Sequence, residues 1–357
     1  MGGGDVPGRI QFAHPYEDII SVENLLAAWK EFVSGKRKKD DVQKFQHRLM
    51  DNILTLHRDL ADGTYKHGGY MAFKISDPKP RDIHKATVRD RLLHHALYRK
   101  LYPFFDRTFI ADSYSCRKAK GTQRAMDCFR QFAYKVSRNH TRTCWVLKCD
   151  IRKFFASIDQ KILLDIIAKY ISDERIKALI AEVVGSFQTR TSDVLVSGNG
   201  SPCSRKWKAK PSTFRGLPLG NLTSQLLVNI YMNEFDQFAK HRLKARYYIR
   251  YADDFVFLSH SKSELKLMLS RIGKFLDARL VLELHPDKVS ITTFASGVDF
   301  LGWVHFTRWR VLRTATKRRM MRRLSETENQ NVLDSYLGLL SHGNAQKLKR
   351  RITDTVQ

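Results

Sequence analysis

Two adjacent aspartates, Asp253 and Asp254, lie in the stretch RYYIRYADDFVFLSH, between two runs rich in aromatic and β-branched residues. Both runs have the composition of buried strands, and the short polar segment between them predicts a β-hairpin. A third aspartate, Asp150, ends another apolar run, WVLKC, in the same manner. Three carboxylates at strand ends repel one another unless a cation lies among them, and hard oxygen ligands of this kind suit Mg²⁺.

Carboxylates of this kind can hold two divalent ions for in-line phosphoryl transfer. The ions activate an attacking 3′-hydroxyl and stabilise a leaving pyrophosphate. The chemistry needs aspartates from separate chain segments, and this sequence supplies them. The alternative is that Asp-Asp forms an ordinary polar turn, and a motif this short leaves both interpretations open.

The charge balance of the chain favours a polyanionic partner. The 357 residues contain 63 Lys and Arg against 36 Asp and Glu, a formal net charge of +27. Nucleic acid is the first expectation and an acidic membrane surface the second. No apolar run reaches the ~18 residues of a membrane span, and the first residues, MGGGDVPGRIQF, lack the pattern of a signal peptide. We therefore expect a cytoplasmic protein with no membrane partner.

The five cysteines show no CxxC pair and no histidine at metal-ligand spacing. Their odd number and the size of the chain predict reduced, mostly buried thiols, with disulfides as the alternative. The cysteines are Cys116, Cys128, Cys144, Cys149 and Cys203.

The elements that must position the aspartates follow from the apolar patterning. Helical spacing predicts two helices with a basic connection between Val22 and Ala61, and strand, proline turn and strand follow in GGYMAFKISDPKPRDIHKA. Further helices are predicted in TVRDRLLHHALYRKLYPFFDRTF, SIDQKILLDIIAKYI and NLTSQLLVNIYMNEFDQFAKHRL, and strands in FLGWVHF and RVLR. Strands and helices do not alternate regularly, so an α+β protein with an antiparallel sheet fits best.

In their order along the chain, these motifs resemble those of reverse transcriptases, from about Leu25 to about Leu324. KCDIRKFFASID resembles the first palm motif, which implies Asp150 and the backbone carbonyl of Ile151 as metal ligands. YADD resembles the catalytic turn and adds Asp253 and Asp254 to the catalytic and metal-binding set. Phe155 matches the position that excludes ribonucleotides in this family, although a plain core phenylalanine would look the same.

The same resemblance assigns further roles. Lys288 in LELHPDKVSI would protonate the leaving pyrophosphate, and PKPRDI would bind the incoming triphosphate through Lys79 and Arg81. Each of these residues could instead be a solvated surface charge. The FLGW stretch resembles the primer grip, although pure packing would give the same pattern; its residues are Phe300, Leu301, Gly302 and Trp303.

The second palm motif departs from the common pattern QGxxxSP. Here the stretch is PLGNLTSQ, so Leu219 stands at the Gln position beside Gly220 in the nucleotide-binding region, and Gln225 replaces Pro. Leucine cannot make the glutamine hydrogen bond, so we expect a looser, more error-prone site. This form, with DSYSCRKAKGTQRAM upstream, resembles reverse transcriptases of bacterial and phage diversity-generating retroelements and related unclassified bacterial enzymes.

The resemblance implies a right-hand polymerase with fingers, an antiparallel palm and a short helical thumb. The expected divisions are an N-terminal helical extension at 1–65, fingers at 66–149, palm at 150–305 with a basic insertion at about 186–215, and thumb at 306–357. The implied cofactor is a pair of Mg²⁺ ions, with Mn²⁺ as a substitute. The implied partners are template RNA, cDNA or primer, dNTPs and a basic accessory variability protein oligomer.

Two basic segments are predicted to contact nucleic acid. Their residues are Arg205, Lys206, Trp207 and Lys208 in the insertion, and Lys317, Arg318, Arg322 and Arg323 in the thumb. The resulting hypothesis is an RNA-directed DNA polymerase that copies a template-repeat RNA with errors at adenines. The alternatives are an antiphage-defence or unclassified bacterial reverse transcriptase, and a catalytically silent RNA-binding scaffold.

Overall fold

The structure is a computed structural model, and it describes residues 10–76, 80–187, 214–327 and 329–356. The α-helices of the described residues are α1 (Tyr16–Ile20), α2 (Val22–Val33), α3 (Asp40–His47), α4 (Leu49–Ala61), α5 (Val88–Asp106), α6 (Thr122–Val136), α7 (Phe154–Ser157), α8 (Gln160–Ala168), α9 (Glu174–Gly185), α10 (Leu222–Gln237), α11 (Lys262–Phe275), α12 (Thr314–Ser325), α13 (Gln330–Leu340) and α14 (Gln346–Val356). The strands are β1 (Tyr70–Ile75), β2 (Arg81–Ala86), β3 (Trp145–Asp150), β4 (Tyr248–Tyr251), β5 (Asp254–Ser259), β6 (Ser290–Thr293), β7 (Val298–Phe300), β8 (Trp303–His305) and β9 (Arg310–Leu312).

These elements form two compact units that interleave along the chain. The first unit comprises the described residues up to Phe109, those between Arg152 and Phe235, and Leu276–Leu282. The second comprises Ile110–Ile151, Asp236–Phe275 and the described residues from Glu283 onward. The predicted division into fingers, palm and thumb stays a prediction.

A four-stranded antiparallel sheet is the centre of the second unit. Its strand order is β4-β5-β3-β6, so β3 and β5 are the inner strands. The inner strand β5 is an almost unbroken run of buried residues, whereas the edge strand β6 is partly exposed. One face packs on α6 through a cluster that includes Phe129, Val146, Val256 and Phe294. The inner strands place Asp150 directly opposite Asp254 at one edge of the sheet.

A two-stranded hairpin and a set of helices make up the first unit. Strands β1 and β2 pair antiparallel from Tyr70↔Ala86 to Ile75↔Arg81, as the patterning predicts. Thr87 caps α5 by accepting from the Asp90 amide, and α5 packs along α2. The predicted second helix of the N-terminal segment is divided at Arg48, so that region holds α2, α3 and α4.

The carboxyl-terminal part of the second unit contains a small meander and a helical group. Strands β7, β8 and β9 form a three-stranded antiparallel sheet, where FLGWVHF and RVLR were predicted as strands. The basic helix α12 buries Met320 against Leu333 and Leu340 of α13. The α+β class with antiparallel sheets is therefore confirmed.

Two further expectations can be compared with the described residues. No helix among them is long and apolar enough to cross a membrane. Cys116, Cys128, Cys144 and Cys149 are free thiols; Cys144 and Cys149 are buried as predicted, whereas Cys128 is half-buried and Cys116 is exposed, and Cys203 lies outside the described residues. Burial raises the pKa of the Cys128, Cys144 and Cys149 thiols, so these three remain protonated and unreactive at neutral pH.

Candidate active site

The hairpin of β4 and β5 carries two of the predicted aspartates. Tyr251 pairs with Asp254, so the turn consists of Ala252 and Asp253, and Asp254 is the first residue of β5. Ala252 has a left-handed φ of 56°, a conformation that costs an L-residue about 1–2 kcal/mol. Strain of this kind is common at functional sites and persists only where the surroundings impose it.

A buried ion pair beneath the turn imposes this conformation. Arg250 is fully buried, and its Nε and Nη2 donate to the two oxygens of Asp236 at 2.8 and 2.7 Å. Its Nη1 donates to the Ala252 carbonyl at 3.1 Å and its Nη2 to Ser113 Oγ at 3.0 Å. Tyr248 completes the network by donating its hydroxyl to Asp236 at 2.7 Å. The guanidinium thus ties the strained turn to the core of the unit.

Asp254 is a poorly solvated carboxylate. Its side chain is 21% exposed, but its Oδ1 is buried and has no hydrogen-bond partner among the described residues. Burial raises the pKa of Asp254 to about 7, and the neighbouring charges of Asp253 and Asp150 add to that effect. Lys148 Nζ, 3.8 Å from Oδ2, opposes the rise only in part. The ionised form of this group therefore needs a further cation.

Two lysine side chains lie beside the aspartates Asp150 and Asp254. Lys288 Nζ donates to Asp150 Oδ1 at 2.9 Å, so this predicted general acid contacts a predicted metal ligand. Lys148 Nζ donates to the Asp299 carbonyl at 2.6 Å. Arg313 in turn pairs with the Asp299 carboxylate at 2.5 Å. The ammonium groups supply part of the positive charge that the carboxylates need.

The residues fit a divalent cation, although they do not form a closed ligand cage. Among the described residues, no three His, Cys, Asp or Glu side chains stand together as a ready-made metal site. The orphaned oxygen of Asp254 and its raised pKa nevertheless favour a cation beside it. Asp150 lies opposite on the neighbouring strand, and Ile151 follows it in a bridge to Leu284. A cation that recruits Asp150 would have to displace Lys288.

The predicted nucleotide-binding residues that the structure describes lie in the first unit. The Leu219 carbonyl accepts from the His84 amide at 3.0 Å, and Asn221 Nδ2 donates to the His84 carbonyl at 3.0 Å. Gly220 has a φ of 105°, and a Cβ there would lie 2.9 Å from Ile83. The structure thus joins the PLGN segment to strand β2.

Other predicted residues occupy surface or turn positions. Arg81 begins β2 and is exposed, whereas Lys79 lies outside the described residues. Phe155 is half-buried on α7, where its ring meets Phe154 edge to face at 5.6 Å.

The predicted primer grip forms the β7–β8 turn. Phe300 pairs with Trp303, both are buried, and Leu301 and Gly302 between them have φ values of 53° and 85°. Positive φ at both turn residues matches the twist of a tight hairpin.

Of the two predicted basic segments, one lies among the described residues and the other does not. On α12 the exposed cations are Lys317, Arg318, Arg322 and Arg323. In the insertion, Arg205, Lys206, Trp207 and Lys208 lie outside the described residues.

Sequence reasoning missed Lys148, Asp236 and Arg250. Arg250 stands inside the apolar run YYIRY, and a charged residue within a predicted buried strand signals a partner in the core. Asp236, at the end of the apolar face of α10, could have been proposed as that partner. Lys148 stands between apolar residues of WVLKC, and the same signal applies to it.

Comparison with known proteins identifies the class to which this fold and site belong. Residues 74–305, well over half of the chain, match the family described as reverse transcriptase (RNA-dependent DNA polymerase). The chain belongs to the reverse transcriptase family, and the predictions of a right-hand polymerase class and of an RNA-directed DNA polymerase are confirmed at that level.

Individual relatives are distant. Protein YkfC of Escherichia coli K12 is 25% identical over 299 residues, which cover 74% of each chain. The group II intron-encoded protein LtrA of Lactococcus lactis subsp. cremoris is 23% identical over 364 aligned positions, covering 82% of this chain and 56% of LtrA. A structure of apo telomerase from Candida tropicalis, truncated from its C-terminal domain, has a TM-score of 0.47 and 13% identity, covering 74% of this chain and 60% of that one.

Proposed function

We propose that this chain is the error-prone reverse transcriptase of a diversity-generating retroelement. It copies a template-repeat RNA into cDNA with misincorporation concentrated at adenines, in partnership with a basic accessory variability protein. The observation that carries this proposal is the PLGNLTSQ segment, in which Leu219 replaces the glutamine of the common motif.

The position of Leu219 supports a loosened nucleotide site. Its carbonyl is already bonded to the His84 amide, and its side chain has no polar atom. Gly220 lies so close to Ile83 that a larger residue would collide with β2. The backbone of this segment is therefore fixed, while the hydrogen bond that a glutamine side chain would add is missing. Loss of one such bond is worth about 0.5–1.5 kcal/mol of discrimination, or roughly two- to twelvefold in fidelity.

In the proposed mechanism, two Mg²⁺ ions, replaceable by Mn²⁺, supply the charge stabilisation for phosphoryl transfer. Asp150, Asp253, Asp254 and the Ile151 carbonyl are the residues that would hold them. Arg250 holds the turn on which Asp253 lies. The Lys288 ammonium group first separates from Asp150 and then donates a proton to the leaving pyrophosphate. Arg81 and Lys79 bind the incoming triphosphate. Phe155 excludes ribonucleotides.

Primer extension on an RNA template with dNTPs and Mg²⁺ tests the proposal. We expect the wild type to make cDNA and the Asp253→Asn, Asp254→Asn double variant to make none, and we expect sequenced products to carry most errors opposite template adenines. Equal activity of the two proteins contradicts the catalytic assignment. Errors spread evenly over the four template bases favour the antiphage-defence or unclassified alternative.

Leu219→Gln provides the sharper comparison. It restores the amide, so we expect adenine errors to fall by about two- to twelvefold with little change in the rate of extension. Leu267→Gln is the matched control, because it makes the same chemical change at a position on α11 where the leucine is 64% exposed. An unchanged error spectrum in Leu219→Gln would remove the role proposed for this leucine.

The scaffold alternative conflicts with the state of Asp254. A scaffold gains nothing from a buried carboxylate oxygen without a partner, because asparagine or leucine would fill the position at lower cost. The retained carboxylates therefore favour an active polymerase.

A further inference from the structure

A basic cavity opens at the end of the four-stranded sheet opposite to the aspartates. It has a volume of about 290 Å³ and is lined at one side by Phe257, Leu258 and Ser259, the last residues of β5. Asp254 begins the same strand, so these lining residues lie roughly 10–17 Å from it along the strand at about 3.3 Å per residue. The cavity is therefore separate from the candidate active site.

The rim of this cavity is cationic. Lys135 in the last turn of α6 and Arg138 just after that helix border it on one side, and Lys244 and Arg246 border it before β4. All four side chains are exposed, and none of them forms an ion pair with an acidic residue among the described part of the chain. The one acidic residue among the described lining is Glu264, which accepts from Ser259. The cavity thus concentrates positive charge that the described residues do not neutralise.

Aromatic and apolar groups lie among these cations. Val136, Phe257 and Met268 contribute apolar surface to the cavity, and Tyr247 lies beneath the Arg246 guanidinium at 5.4 Å. Lys135 also borders a second cavity of about 300 Å³, lined in part by Arg130, Tyr134 and His140. Tyr134 is 48% exposed, which leaves its ring available for stacking.

The backbone at the rim is strained. Arg138, Asn139 and His140 have successive φ values of 47°, 59° and 66°, and Lys244 across the cavity has a φ of 55°. Asparagine tolerates this region, but arginine and lysine rarely adopt it. The turn is fixed by the Asn139 amide donating to the Tyr134 carbonyl at 3.0 Å and the Arg142 amide to the Ser137 carbonyl at 2.8 Å. Strained cationic residues on two segments that face one cavity indicate a binding surface.

We propose that these two adjoining cavities, which we call the rear basic surface, bind single-stranded RNA outside the polymerase site. Phosphates contact the rim cations, and a base stacks on Tyr134. The composition of this surface favours RNA over an acidic protein segment, because aromatic side chains are interleaved with the cations and because the net charge of the chain is +27. This inference depends on membership of the reverse transcriptase family and not on the retroelement assignment.

Binding of a labelled, unstructured twelve-nucleotide RNA tests the proposal. Fluorescence anisotropy is recorded over a range of salt concentrations, with unlabelled RNA–DNA duplex present throughout to occupy the polymerase site. Arg138→Glu with Lys244→Glu removes two phosphate contacts. We expect the salt slope to fall by about 1.4 and the affinity at 0.1 M salt to fall roughly 25-fold, given about 0.7 log units for each contact to single-stranded RNA.

A matched pair separates the proposed surface from general charge. Lys266→Glu with Lys274→Glu makes the same charge change at two exposed positions on α11 outside both cavities, and we expect its salt slope to match that of the wild type. Arg138→Gln with Lys244→Gln removes the same contacts without charge reversal. This variant is used instead if the variant with Arg138→Glu and Lys244→Glu melts at a lower temperature than the wild type. An equal loss in both Glu pairs, or none in either, overturns the proposal.

Location and ligand class are tested separately. RNA containing 4-thiouridine should crosslink to peptides that carry Tyr134 or Tyr247, and Tyr134→Ala should weaken binding at least about fivefold. Crosslinks confined to other peptides contradict the assigned location. A polyglutamate peptide that competes better than RNA of equal length would overturn the RNA assignment in favour of an acidic protein partner.

Discussion

Asp236 and Asp254 are carboxylates that lie against the same β-hairpin, but their surroundings are opposite. Asp236 is fully buried and accepts hydrogen bonds from Arg250 and Tyr248, so its charge is neutralised within the protein. Asp254 has a buried oxygen without a partner and a pKa raised to about 7 by burial. The first carboxylate stabilises the fold, whereas the second is destabilised until a cation reaches it. Substitutions in the two regions should therefore separate stability from activity.

Asp254→Asn should produce the largest effect, and it should fall on activity. Loss of the proposed metal ligand would remove several kcal/mol of charge stabilisation, so we expect primer extension to fall by at least about a thousandfold. The melting temperature should stay level or rise, because a repelling buried charge disappears. Extension assays and thermal unfolding of the same preparation measure both. A marked loss of stability would show that Asp254 is structural as well.

Asp236→Asn should give the complementary result. It leaves the Arg250 guanidinium buried without the carboxylate charge that balances it, and breaking a buried pair typically costs about 3–5 kcal/mol. Urea unfolding measures this loss. Asp173→Asn serves as the control, because Asp173 caps α9 at the surface of the first unit. If Asp236→Asn were as stable as the control, the buried pair would not be the anchor of the hairpin.

Arg250→Lys should affect both properties moderately. Lysine keeps the charge but cannot donate at once to Asp236, Ser113 and the Ala252 carbonyl. We expect a loss of about 1–3 kcal/mol in unfolding free energy and a fall in kcat with little change in KM, because the strained turn at Ala252 relaxes. Arg242→Lys, at an exposed position, is the control. A change in KM alone would contradict the positioning role.

Lys288→Gln should have the smallest effect of the four variants, and the effect should be on the Mg²⁺ concentration that the enzyme requires. Lys288 is 42% exposed, and a pair of this kind is worth about 0.2–1 kcal/mol. Freeing Asp150 should therefore lower the Mg²⁺ concentration for half-maximal extension by up to about fivefold. A separate fall in maximal rate would support the proposed general acid. An unchanged Mg²⁺ requirement would indicate that the contact with Asp150 does not compete with the ion.

Much of the fold followed from apolar patterning. The runs around Asp253 and Asp254 predicted a hairpin, and WVLKC predicted a strand ending at Asp150; the structure pairs these segments as β4, β5 and β3. The break at Arg48 was not predicted, because the apolar spacing continues across it. Local periodicity reports which face of a helix is buried, but not where a longer helix is interrupted.

The candidate site was predicted unevenly for a physical reason. Short motifs such as YADD and KCDIRKFF identify their candidate residues directly from the sequence. Arg250 and Asp236 were missed because their partnership joins two separate segments, and nothing in either segment identifies the other. The rear basic surface was missed for the same reason, since Arg138 and Lys244 are about a hundred residues apart and meet only around one cavity.

The sequence by itself determined the chemical class of this protein: three aspartates at strand ends, a large basic excess and an ordered set of reverse transcriptase motifs. Only the tertiary structure decided how each charge is balanced. Asp236 found a guanidinium, Asp150 an ammonium group, and Asp254 Oδ1 no partner among the described residues. The physical reason is that the energy of a carboxylate depends on its burial and on charges within a few ångströms, which are set by folding and not by order along the chain.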